Sequence, residues 1–186
     1  MKHVVALFDK YEDAERAVLE LTEQGYDREQ MSVIARREDV HESLTTLTQS
    51  PVTVDATAGA TMGAALGGLA GMLIGAGMLT VPGLGAIVAI GTLTATLGGL
   101  GVGAGAGAVA GGVLGALTGA GLSDAEASAY AEGIKRGGIL VIVNAPEERE
   151  AEVWSILRDC GAVNIAERQE EWRRGGWTRF DETATP

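Results

Sequence analysis

The sequence predicts an α+β fold on three observations. Strand-like and helix-like segments follow one another as β-α-β near the start and α-β-α-β near the end, the order of a ferredoxin-like split βαβ pair. Between the second and third strands, from Ala56 to Ser123, there is no Asp, Glu, Lys, Arg or His, and 21 of the 28 glycines fall there. Within that block glycine recurs at a spacing of four, as Gly59, Gly63, Gly67, Gly71 and Gly75, then as Gly99, Gly103, Gly107, Gly111, Gly115 and Gly119. On an α-helix such residues stack on one face and leave a groove where another backbone can approach, so the insertion is expected to be a helical hairpin packed through these glycines.

In chain order, HVVALF is apolar and β-branched enough for a buried strand. Asp9 with Glu12 has the form of a capping box, and Ala14, Ala17, Val18 and Leu21 recur at helical spacing until Gly25. QMSVIAR, residues 30–36, reads as the second strand, and the polar run from Arg37 to Asp55 as a connector. A helix over Ala58 to Val81 reaches ~36 Å, enough to cross a hydrocarbon core of ~30 Å. Pro82, Gly83 and Gly85 form the hairpin turn. A short helix over Leu84 to Leu97, re-entrant or interfacial, and a longer one over Gly101 to Ala120 then follow, divided where six glycines lie between Gly98 and Gly107, each costing a helix about 1 kcal/mol relative to Ala. Ser123 and Glu126 make a second capping box, for a helix stopped at Gly137 and Gly138. ILVIV is the third strand, Glu147 to Cys160 a helix with Val153, Trp154, Ile156 and Leu157 inward, and AVNIAE the fourth strand. The divisions are thus 1–55, the first half-domain and connector; 56–122, the hairpin; 123–168, the second half-domain; and 169–186, a charged tail with Trp172, Trp177 and Phe180. Those aromatics are expected to fold back on the chain's own sheet or end in disorder, with docking to a partner or a membrane interface as the alternative.

Charge narrows the function. The net charge is −11, with −6 on residues 1–55 and −5 on residues 124–186. That balance argues against nucleic acid as a partner. His3 and His41 have no metal-ligand spacing around them, and the block lacks the Lys that a phosphate-binding Walker loop needs. No catalytic residue, metal ligand, cofactor site or small-molecule substrate is predicted. Cys160 cannot form an intramolecular disulfide and reads as a small buried apolar residue.

Three stretches, FDKYEDAERAVLELTEQGYDREQMSVIAR, MLTVPGLGAIVAIG and GALTGAGLSDAEASAYAEGIKRGGILVIV, resemble the bacterial general stress proteins of the heat-induced YflT type. The resemblance implies a non-enzymatic, stress-associated protein and supplies no catalytic residues.

An apolar surface of some 60 residues exceeds what a monomer normally exposes, so lipid or further copies must cover it. The leading expectation is a membrane-embedded protein whose hairpin packs on itself and on other copies. Its ferredoxin-like domain then lies on the cytoplasmic side of the inner membrane, as Arg36, Arg37, Lys135 and Arg136 flanking the block suggest. The alternative is a cytoplasmic homo-oligomer, a structural or protective assembly whose hairpins share an apolar core.

Overall fold

The computed structural model describes residues 2–39, 77–81, 84–91 and 112–181. Their elements are β1 (Lys2–Phe8), α1 (Tyr11–Glu23), β2 (Met31–Arg36), β3 (Gly77–Val81), β4 (Gly85–Ile90), α2 (Gly112–Gly119), α3 (Asp124–Lys135), β5 (Ile139–Ala145), α4 (Glu150–Asp159) and α5 (Ile165–Arg174). The strands form one sheet in the order β1-β5-β2-β4-β3, every neighbouring pair antiparallel.

Both faces of β1, β5, β2 and β4 are covered. Alternation along each strand sends successive side chains to opposite sides. Val4, Ala6, Phe8, Val33, Val88 and Val141 join Ala14, Val18 and Leu21 of α1 and Val153 and Leu157 of α4 in one buried cluster. Val5, Leu7, Ile34, Ile87, Ala89 and Leu140 join Val113 and Leu117 of α2 and Tyr130 and Ile134 of α3 in the other. At about 1.5–3 kcal/mol per fully buried aliphatic side chain, each face is a substantial core.

The expected capping box on α3 is present: Glu126 N donates to Ser123 Oγ at 3.3 Å, and Ser123 N donates to Glu126 Oε2 at 3.0 Å. At its other end Gly137, with φ +93°, and the bond from Gly138 N to Gly133 O at 2.9 Å stop the helix. The N-terminus of α1 differs from expectation. Lys10 stands at its cap without a side-chain bond, and Asp9 instead pairs with Arg168 of α5 at 2.7 Å.

The larger corrections concern the uncharged block. Residues 77–81 and 85–90 are strands, where the sequence reading expects the end of the helix over Ala58 to Val81 and the first half of the one over Leu84 to Leu97. Their β-branched content, Thr80, Val81, Ile87, Val88 and Ile90, suits a pleated surface. Antiparallel pairing with β2 and burial of Leu84, Ile87, Val88 and Ala89 outweigh any helical preference. The expected turn therefore joins strands: β3 and β4 pair down to Val81 opposite Gly85, which opens β4, while Pro82 and Gly83 lie outside the described residues. The long helix expected to end near Ala120 is helical from Gly112 to Gly119. The rest of the expected helices, over residues 58–76, 92–97 and 101–111, lies outside the described residues, and Gly91, with φ +96°, is not helical. The fourth strand shrinks to a single bridge between Val163 and Leu7, because Asn164 accepts from Ala166 N at 3.2 Å and caps α5 directly afterwards.

Candidate functional site

Of the ladder, Gly115 and Gly119 lie on α2, and both are exposed. A Cβ at either meets nothing within 4 Å, so neither packs against a described backbone; α2 instead buries Val113, Ala116 and Leu117. Gly59, Gly63, Gly67, Gly71, Gly75, Gly99, Gly103, Gly107 and Gly111 lie outside the described residues. Among the described residues, no helix is long and apolar enough to cross a membrane.

Beside the exposed face of α2 the C-terminal tail builds a groove. After α5, the turn at Gly175 and Gly176 lets Trp177 N donate to Trp172 O at 2.9 Å. The two indoles meet edge to face with centroids 5.7 Å apart. Trp172 is held against α3 by the Arg136 guanidinium, 5.0 Å above its ring, and Arg136 is itself fixed by the buried Glu132 at 2.7 Å. Gln169 Nε2 donates to Ala125 O at 3.2 Å, Phe180 N donates to Ser128 Oγ at 2.7 Å, and the Phe180 ring is buried against the α3 side of the sheet. The aromatic tail thus folds back on its own chain through Phe180.

A groove of about 640 Å³ remains between this tail, α3 and α2, lined by Leu114, Thr118, Asp124, Ser128, Trp177 and Arg179 among others. Trp177 Nε1 is buried in its wall with no acceptor among the described residues. Charges of both signs line it, Asp124 and Asp181 with Arg173 and Arg179. Its hydroxyls belong to Thr118, Ser128 and Thr178, and among the described residues no His lines the wall to take a proton from them. A smaller recess of about 210 Å³ holds the exposed His3 with Glu126, Tyr130 and Trp154. Tyr130 Oη donates there to Val5 O at 2.9 Å, and its phenol is pushed up to about 12 by burial and then by Glu126. It anchors α3 to β1 and is a poor proton donor at neutral pH.

Among the described residues no group of three or more His, Cys, Asp or Glu is placed to hold a metal. Cys160 is buried, its thiol donating to Glu20 Oε2 at 3.4 Å; burial, reinforced by that carboxylate, pushes it up to about 11. Such a thiol is inert at neutral pH. Burial also raises the Tyr11 phenol and the Glu15 carboxyl, Glu15 adding to the first and Glu12 to the second. Tyr11 Oη and Glu15 Oε1 have no hydrogen-bond partner among the described residues.

The described residues form a mixed α/β protein, an antiparallel sheet between two helical layers. Residues 3–81, from β1 to the end of β3, match the heat-induced stress protein YflT domain, the family that the sequence resembles. Comparison with curated proteins and with solved structures gives no match.

Proposed function

We propose that the protein is a non-catalytic stress protein that works by self-association through its uncharged block. The observation that carries this reading is how the block is tethered. Gly77 of β3 lies opposite Ala89 of β4, so the segment entering β3 and the segment leaving β4 begin side by side, about 5 Å apart. One holds the ladder Gly59 to Gly75 and the other Gly99 to Gly111. Two glycine faces rooted together are suited to pack on each other and on those of another copy. Elsewhere copies carrying −11 repel one another, whereas the block is neutral.

The same tether argues against a hairpin that spans a bilayer. An arm that leaves and returns on one side must cross twice, which needs about 40 apolar residues in that arm alone, and the arms 56–76 and 92–111 have 21 and 20. One crossing by the first arm leaves β3 and β4 across the bilayer from β2, yet β4 pairs with β2 from Val33 to Arg36. Any lipid contact on this reading is interfacial, and the working compartment is the cytoplasm. We further read Val163-β1-β5-β2 as the four positions of a ferredoxin-like sheet, supported by antiparallel pairing throughout and by α1 and α4 lying together on one face.

Sedimentation velocity of the full chain in detergent-free buffer, with flotation on liposomes in parallel, tests the reading. The expected result is a discrete oligomer, weakened by Gly67→Leu or Gly111→Leu. A protein that stays monomeric at all concentrations, or that requires detergent and floats, overturns it.

A further inference from the structure

We infer that β3 is the seam between copies: its outer edge pairs antiparallel with β3 of a second copy about a two-fold axis, joining two five-stranded sheets. The inference rests on the self-association reading and names its interface. A sheet edge offers a row of unpaired N–H and C=O groups, and proteins block such edges with charge, Pro or a covering segment. The two edges here are treated differently. At β1, Val163 N donates to Leu7 O at 2.7 Å, closing one end, and the other end carries Lys2, whose ammonium lies 3.1 Å from Glu150. At β3 the sequence is GMLTV, without a charge, and among the described residues no strand lies beyond it.

A second copy is the occupant that the charge pattern selects. Each chain carries −11, so two copies approach most readily where neither presents charge, and among the described residues β3 is the sheet edge that lies inside the uncharged block. An antiparallel pair of identical strands is self-complementary, as a two-fold interface must be. The arms rooted at Gly77 and beside Ala89 then meet their counterparts across the same axis. A foreign strand finds equal hydrogen bonding there, but no feature of β3 selects one.

A cysteine scan tests this. Met78→Cys, Leu79→Cys and Thr80→Cys are each made in a Cys160→Ala background and oxidised at low protein concentration. Two-fold antiparallel pairing places one position opposite itself, with Cβ atoms about 4.5–5.5 Å apart, so disulfide-linked dimer is expected to peak at a single position. Thr80→Lys, at a position paired with the exposed Ala86, is expected to keep the native circular dichroism and to raise the dimer dissociation constant about fivefold or more, as each copy then brings a lysine to the pairing edge. No peak at any position, with Thr80→Lys still associating like wild type, overturns the β3 seam and leaves self-association standing; it points to a segment of the same chain covering this edge. A wild-type protein that is monomeric throughout overturns both readings, whether or not a foreign strand binds it.

Discussion

Gly91→Ala distinguishes the sheet placement of the block from a helical one by the sign of its effect. Gly91 follows β4 with φ +96°, a conformation that L side chains rarely adopt, costing roughly 1–2 kcal/mol. A Cβ there collides with the Met31 carbonyl oxygen, and it meets Ser32 Oγ at 2.6 Å and Ser32 Cα at 2.7 Å. Two of these three atoms are backbone of β2, so a side-chain rotation cannot relieve the clash. Overpacking of this kind costs about 1–3 kcal/mol. The two contributions together come to roughly 2–5 kcal/mol, which at about 2–4 °C per kcal/mol lowers the melting temperature by roughly 5–20 °C. If residues 84–97 formed a helix, the same change would remove a helix-weakening glycine and add about 1 kcal/mol of stability. Urea denaturation followed by circular dichroism reads the difference directly. An unchanged or raised midpoint refutes the placement of β4 against β2.

Tyr130→Phe removes the bond to Val5 O and is expected to lower the unfolding free energy by about 1–2 kcal/mol. Because the folded phenol is held near 12 against an ordinary 10, folding favours its protonated form. Its contribution is therefore present below pH 10 and lost as pH rises toward 12; alkaline titration of the urea midpoint should be flatter in the Phe variant. Glu15→Gln acts in the acid range with the sign of a raised carboxyl. Burial favours the protonated acid, so the folded state loses stability as pH rises from 4.5 through the elevated value. The variant should be more stable than wild type at pH 7, by up to about 1 kcal/mol after solvent screening, and indistinguishable at pH 4 or below; a destabilised variant at pH 7 refutes the account. Cys160 should resist a thiol reagent at pH 8 in the native state and react fully in urea, since its thiol lies near 11 when folded. Fast native labelling would mean that α4 does not stay docked.

The flanks were readable because side-chain period and capping chemistry agreed there. Ser123 and Glu126 mark the start of α3, short apolar β-branched runs mark β1, β2 and β5, and the charged residues between them mark the surface. Asp9 and Glu12 had the same spacing without the same outcome, because Arg168, 159 residues away, takes the Asp9 carboxylate. No local pattern contains that pairing. The tail was legible only in part. Trp172, Trp177 and Phe180 fit folding back and a disordered end equally, and the groove they make depends on Arg136, Glu132 and Ser128, in and just after a helix some 40 residues earlier.

The uncharged block misled for a physical reason. Glycine at a spacing of four says where a helix could pack, but glycine itself disfavours helix and places no apolar surface on either face. The information lay in the residues between. MLTV and GAIVAI flank PGL, two short β-rich runs about three residues that include Pro and Gly, which is a hairpin signal in its own right. Reading them as strands changes what the ladders can do. A single long hairpin has a free tip and can reach into a bilayer. The described strands divide the block into two arms, 56–76 and 92–111, each with about half of the ~40 apolar residues that crossing a bilayer and returning to the same sheet would need.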